Sequence, residues 1–133
     1  MKERDLKRRT KKFAHRCVKL SRALPKTALG DHIRKQIIRC STSAALNYQA
    51  ACVAQSEAVF ASNLSVAVEE ADESCFWMQF IIDEELINKR KVTDLLEEAK
   101  ELTAIFIKSR KTIKDRSSEF VAENKFCETI NSP

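Results

Sequence analysis

The 133-residue chain is poor in the residues that make turns, with one glycine and two prolines. A β-sheet protein needs turn residues roughly every 8–12 positions, so this scarcity excludes a sheet fold. Alanine, leucine, isoleucine, glutamate, lysine and arginine dominate instead, and they favour helix. The apolar content of 44% is too high for a disordered chain. The composition therefore predicts a single all-α domain.

The sequence also lacks the patterns of membrane spans, secretory signals, disulfide frameworks and zinc sites. No apolar run approaches the roughly 20 residues of a membrane span, and the charged opening leads into no apolar signal segment. The five cysteines are odd in number and form no C-x-x-C pair, and the two histidines lie among basic residues. We therefore predict a cytoplasmic protein with reduced, partly buried thiols, no metal, no cofactor and no membrane partner.

Apolar residues recur at helical spacing in four segments. They predict helices at about residues 5–23, 31–54, 57–83 and 93–114, followed by a loosely ordered tail over 115–133. Short connections between helices of similar length predict an antiparallel up-down-up-down four-helix bundle over residues 1–114. Ser56 is the expected N-cap of the third helix, and acids near Thr93 are expected to open the fourth.

The third helix carries aromatic residues on the side opposite its core stripe. On a helical wheel Phe76, Trp77 and Phe80 point away from that stripe, with Val66 and Ile81 nearby. One interpretation is that a neighbouring helix or the C-terminal tail, with its own phenylalanines, covers this second apolar patch. The other is a subunit interface, because Trp and Phe are enriched in interface cores. The second interpretation predicts a homo-oligomer.

Acidic residues precede the aromatic patch, and Glu70 and Glu73 lie beside it on the wheel. A catalytic or metal-binding carboxylate cluster would usually include a Glu-x-x-His pattern, which is absent, and helix 2 has no acid between Asp31 and Glu57. We expect ion pairs with Arg or Lys of a neighbouring chain instead. The candidate interface residues are Glu70, Glu73, Phe76, Trp77 and Phe80.

Positive charge is concentrated in the first third of the chain. Residues 1–39 hold 14 Lys and Arg against 3 Asp and Glu, whereas residues 40–133 hold 10 against 16. Such asymmetry indicates either a polyanionic partner or pairing with the acidic part of the same chain. On the first helix a basic stripe about 27 Å long can follow a phosphate backbone. Its candidate nucleic-acid-binding residues are Arg4, Arg8, Lys11, Lys12, Lys19 and Arg22. The alternative is a solvated face that only keeps the chain soluble.

Two segments carry a family resemblance: RCSTSAALNYQAAC, residues 39–52, and EEADESCFWMQFIID, residues 69–83. They resemble the four-helix-bundle family of proteins encoded in intervening sequences of bacterial large-subunit rRNA genes. The same family includes the accessory protein of diversity-generating retroelements. The resemblance spans roughly residues 13–114.

The resemblance implies ring-shaped homopentamers without an established enzymatic activity. It also implies partners, because the retroelement accessory protein binds nucleic acid and its reverse transcriptase through basic surface. Relatives carry basic residues after the Asn-Tyr pair and at the start of helix 3, where this chain has Gln49, Val53 and Glu57. The prediction is thus a non-catalytic, basic, oligomeric scaffold that binds RNA or DNA with low sequence specificity. The alternative is a protein-interaction module that binds no nucleic acid and whose basic face pairs with an acidic protein surface.

Overall fold

The computed structural model describes the backbone of residues 2–131 and the side chains of residues 2–116. Over this range the chain is all-α and has no strand. The four helices are α1 (Glu3–Ser21), α2 (Ala28–Cys52), α3 (Glu57–Asp83) and α4 (Lys89–Asn131). The predictions of an all-α chain and of four helices are confirmed.

The starts of α2, α3 and α4 are set by side chains that accept hydrogen bonds from free N–H groups. Thr27 accepts from the Gly30 N–H at 3.0 Å, and Ser56 accepts from the Val59 N–H at 3.2 Å. Asn88 accepts from the Arg90 N–H at 3.0 Å, so α4 starts four residues before the predicted Thr93. The prediction overlooked Asn88, although asparagine is a preferred N-cap residue.

The helix α3 ends in a left-handed residue that is not glycine. Glu85 has φ of 54°, and the Leu86 N–H donates to the Ile81 carbonyl at 3.0 Å. This hydrogen bond, from an N–H group to the carbonyl five residues earlier, is typical of a Schellman motif. Such a motif usually has glycine at the left-handed position. The motif turns the chain towards α4 within the connection 84–88.

Contacts between the helices show that sequential neighbours are antiparallel. Near the α1–α2 connection, Arg34 of α2 donates to the Ser21 and Leu24 carbonyls at 3.2 and 2.9 Å. Near the start of α3, Arg116 of α4 lies 3.3 Å from Glu57. The helix α1 packs against α2 and α4, and α3 packs against the same two helices. This is the up-down-up-down arrangement of a four-helix bundle.

The core consists of one inward stripe from each helix. Phe13, Ile37, Leu64 and Phe106 are among its fully buried side chains, and Tyr48 stacks on Phe106 with ring centroids 5.3 Å apart. Apart from Tyr48, the buried residues of α2 after Ile37 are small, namely Cys40, Ser41, Ala44 and Ala51. Burial of these apolar side chains is the main stabilising contribution to the bundle.

The helix α4 is longer than predicted. It continues through residues 115–131, where the sequence led us to expect a loose tail. That segment contains neither glycine nor proline, so nothing in its composition interrupts a helix, although its weak periodicity gave no helical signal. The side chains of the tail beyond Arg116, including Phe120 and Phe126, lie outside the described residues.

Candidate nucleic-acid and subunit interfaces

The basic face of α1 is built by the amphipathic spacing of that helix. Leu6, Phe13, Cys17 and Leu20 are buried on its inner side, which leaves the opposite side to water. All six predicted nucleic-acid-binding residues are exposed there: Arg4, Arg8, Lys11, Lys12, Lys19 and Arg22. Among the ion pairs of the described side chains, none involves these six residues. We define these residues as the basic face.

A different cation of α1 does pair with the acidic part of the chain. The Arg9 Nε donates to a Glu98 carboxylate oxygen at 2.9 Å, and Arg9 Nη2 lies 3.0 Å from Glu101. Hydrogen bonding to the Arg9 guanidinium lowers the pKa of Glu98, against the opposing effect of burial. Intramolecular charge pairing therefore occurs on the side of α1 that faces α4 and leaves the basic face unpaired.

The predicted interface acids are paired within their own chain. Arg39 of α2 bonds Glu70 at 3.0 Å and also bonds Glu73, and the Trp77 indole N–H donates to Glu73 at 3.2 Å. We had expected Arg or Lys of a neighbouring chain as partners. The structure supplies Arg39 instead, because four-helix packing places the middle of α2 beside the middle of α3. Neither acid needs a second chain to be paired.

The three aromatic candidates differ in exposure. Phe76 is 57% exposed, whereas Trp77 and Phe80 are half-buried and pack against the core. Trp77 lies on the side of α3 that faces α2, where its ring meets His32 edge-on at a centroid distance of 5.5 Å. The prediction that all three point away from the bundle is therefore wrong for Trp77 and Phe80. The neighbouring helix α2 covers part of the α3 surface that a helical wheel assigns to solvent.

Ile81 also differs from its predicted position. We grouped it with the outward aromatic patch, but it is fully buried in the core. It follows Met78 by three residues and Ser74 by seven, and both of these are buried as well. The core stripe of α3 is wider on this side than the predicted stripe.

Several exposed aliphatic side chains on α2, on α3 and in the connection between them were not predicted from the sequence. Leu46 and Val53, seven residues apart, are 66% and 73% exposed, and Leu29 and Val59 are also exposed. Together with Phe76, these make five of the six exposed large apolar residues in the described part, and the sixth is Ile107 of α4. The seven-residue interval between Leu46 and Val53, outside the core-facing stripe of α2, is the sequence feature that could have predicted their exposure. Exposed apolar surface of this kind promotes association between chains.

The positions at which relatives carry basic residues are not cationic in this structure. Gln49 and Val53 are exposed, and the Glu57 carboxylate lies 3.3 Å from Arg116. A nucleic-acid surface at the end of α2 and the start of α3 therefore lacks its cations in this chain. The exposed cations predicted to bind nucleic acid lie on α1 instead.

The cysteines behave as small core residues. Cys17 and Cys40 are free and buried, and Cys52 and Cys75 are free and partly buried. Burial raises the pKa of Cys40 to about 11, and it also raises the pKa of Cys17. The predicted burial is confirmed for Cys17 and Cys40, whereas Cys75 is only partly buried. Cys127 lies outside the described side chains.

Neither a metal site nor a membrane-spanning helix is found among the described residues. Among the described residues, no three side chains of His, Cys, Asp or Glu lie close enough together to hold a metal ion. Within the same part of the chain, no helix combines the length and apolarity that crossing a membrane requires.

Comparison with known proteins identifies a matching family and a structural relative. The family described as 23S rRNA-intervening sequence protein matches residues 2–108. A crystal structure from Bacteroides thetaiotaomicron superposes with a TM-score of 0.76 at 31% identity, covering 84% of this chain and 99% of that one. It is described as a protein of unknown function from the S23 ribosomal protein family. No protein among those with curated descriptions matches the chain.

Proposed function

Because the chain belongs to the family of 23S rRNA-intervening sequence proteins, we propose that it is a non-catalytic, homo-oligomeric scaffold. In this proposal it binds nucleic acid with low sequence specificity through the basic face of α1. The observation that carries the proposal is the set of six exposed cations on one helix face, none of which is paired within the described residues. The family name, which refers to an rRNA gene, is consistent with a nucleic-acid partner.

The expected binding mode is electrostatic. Lys and Arg along a helix neutralise phosphates and release counterions, which gives affinity without reading bases. No aromatic side chain accompanies the six cations for stacking on single-stranded bases, and no base-reading motif is present. A single stripe of this length binds weakly, so repetition of the stripe in an oligomer would raise the affinity through multivalency.

The oligomeric part of the proposal is supported by the exposed apolar residues of α2 and α3. Phe76 lies on α3, which does not contact α1, so association through Phe76 would leave the basic face of its own chain accessible. The resemblance described above implies a homopentamer and a protein partner such as a reverse transcriptase, and we retain both as part of the proposal. The proposal assigns no catalytic step, because the sequence carries no glycine-rich phosphate loop.

The alternative function is a protein-interaction module that uses the same exposed apolar residues to bind another protein. It differs in one measurable respect, because it requires no affinity for nucleic acid. The five exposed apolar residues on α2 and α3 support it.

Binding to mixed-sequence RNA and DNA separates the two functions. Wild-type protein should retain both at about 50 mM salt and release them by about 200 mM, as counterion release requires. Arg8→Glu combined with Lys19→Glu should weaken binding at least about tenfold at the lower salt, since two phosphate contacts become repulsive. The matched control is Lys111→Glu with Lys114→Glu, an equal charge change on exposed positions of α4. Absence of binding at low salt, or equal binding by both double variants, would refute the nucleic-acid function.

A further inference from the structure

A groove lies between α1 and α2 with an apolar floor and a basic rim. Its volume is about 280 Å³. Ala14 and Val18 of α1 and Ala45 and Leu46 of α2 form the apolar part. The cationic or titratable part is Lys7, Lys11 and His15, and no acidic residue lines the groove. A complementary ligand would therefore present an apolar group flanked by carboxylates.

Such a group is present on another side of the same chain. Phe76 is the most exposed aromatic residue of α3, and Glu69 and Asp72 precede it by seven and four residues, on the same outer side of the helix. Both acids are exposed, and no ion pair within the described residues engages them. The neighbouring acids Glu70 and Glu73, in contrast, are held by Arg39. We call Phe76 with Glu69 and Asp72 the acidic plug.

We propose that the acidic plug of one copy of this chain enters the α1–α2 groove of a second copy. Phe76 would cover the apolar floor, and Glu69 and Asp72 would face Lys7, Lys11 and His15 of the other copy. The inference rests on the proposed homo-oligomer and names the two surfaces that form its contact. Groove and plug are different surfaces, so the contact is head-to-tail. Each copy inserts its plug into one neighbour and accepts the plug of another neighbour in its groove.

The contact is compatible with the proposed nucleic-acid surface. Of the six residues of the basic face, only Lys11 lines the groove. Arg4, Arg8, Lys12, Lys19 and Arg22 do not line the groove. Charge complementarity favours a second copy over a nucleic acid as the occupant, because a phosphate backbone gains nothing from the apolar floor.

A mixing experiment tests this arrangement with one variant for each surface. Leu46→Glu places a carboxylate in the groove, and Phe76→Glu removes the apolar part of the plug. Both positions are more than half exposed, so both variants should fold, as circular dichroism will report. Leu46→Ser and Phe76→Ser replace either variant that does not fold. The matched control is Ile107→Glu, the same kind of change at an exposed apolar residue of α4.

Each variant alone has one intact surface and one defective surface. We expect light scattering to report an oligomer for wild type and for Ile107→Glu, but a 15.2 kDa single chain for each of the two test variants. An equimolar mixture of the test variants should form a two-chain species, because one chain keeps its groove and the other its plug. A contact between like surfaces cannot produce this result.

The other outcomes are distinguishable. A wild-type oligomer that either test variant leaves intact, or a mixture that stays single-chain, would overturn the groove-and-plug contact while the oligomeric scaffold stands. A wild-type protein that is itself single-chain would overturn both the contact and the oligomeric part of the proposed function.

Discussion

The only glycine of the chain is explained by one close approach between backbone atoms. Gly30 lies in the first turn of α2, and a Cβ there would stand 1.9 Å from the Pro25 carbonyl oxygen. The obstructing atom belongs to the backbone of the tight connection between α1 and α2, which Arg34 also bonds. A side chain at this position would have to push the connection away from the helix.

Gly30→Ala should therefore destabilise the protein, even though alanine is the better helix former. We expect a loss of about 1–3 kcal/mol in the free energy of unfolding, as for other overpacked sites. Urea denaturation at fixed protein concentration measures it, with the exposed Lys35→Ala in the same helix as the control. A Gly30→Ala variant as stable as the control would show that the connection between α1 and α2 can shift without lowering the free energy of unfolding.

At the scale of the helix, α4 begins with charges of the wrong sign. Its first turn holds Lys89, Arg90 and Lys91 and no acid, while the acids that we expected at the start lie further along. The positive end of the helix dipole disfavours cations there. Lys91 also shares a surface depression with Arg16 and Lys19 of α1, which adds repulsion between like charges.

Lys91→Glu should stabilise the bundle by about 0.3–1 kcal/mol at low ionic strength, because it reverses both unfavourable interactions. The gain should shrink as salt is added, since these charges are exposed. Thermal unfolding at two salt concentrations measures it. Lys111→Glu, the same substitution in the interior of α4, should bring no comparable gain. A destabilised Lys91→Glu variant would mean that the cations of the first turn have a favourable role.

At the scale of the whole molecule, exposed apolar residues lie beside charges whose sign differs between α1 and α3. Leu46 shares a groove with the cations Lys7 and Lys11 of α1, whereas Phe76 lies on the same side of α3 as Glu69 and Asp72. The acidic part of the chain is partly neutralised where Arg9 and Arg39 bond acids of α4 and α3. A molecule with this distribution can associate head-to-tail and still carry cations of the basic face outside the contact.

Trp77 and Phe76 should therefore respond differently to the same substitution. Trp77 packs against the core and bonds Glu73, so Trp77→Glu should lower the stability of the single chain by about 2 kcal/mol, less than full burial would cost. Phe76→Glu should affect association only. In melting experiments over a range of concentrations, the wild-type Tm should rise with concentration.

In the same experiments the Phe76→Glu Tm should stay constant with concentration, and the Trp77→Glu Tm should be the lowest at every concentration. Equal melting of the two variants would contradict the different roles that the structure gives these residues. A wild-type Tm that does not change with concentration would count against the oligomer.

Much of this arrangement could be predicted from the sequence because its causes are local. Helical propensity and apolar spacing determine that the chain is all-α, and the α1 stripe from Leu6 to Leu20 is buried as its periodicity indicates. The exposure of the six cations follows from the same periodicity, since they lie opposite that stripe. The family could be identified from two segments of α2 and α3, and the family match confirms it.

Only the tertiary structure decided whether the residues at the edges of each core-facing stripe are buried or exposed. Whether Trp77 is covered, whether Glu70 and Glu73 find Arg39, and why position 30 must be glycine all depend on how closely another segment approaches. The groove between α1 and α2 is likewise formed by residues 24 or more positions apart in the chain. Periodicity predicts the direction in which a side chain points from its own helix. The neighbouring helix determines whether water or protein lies in that direction.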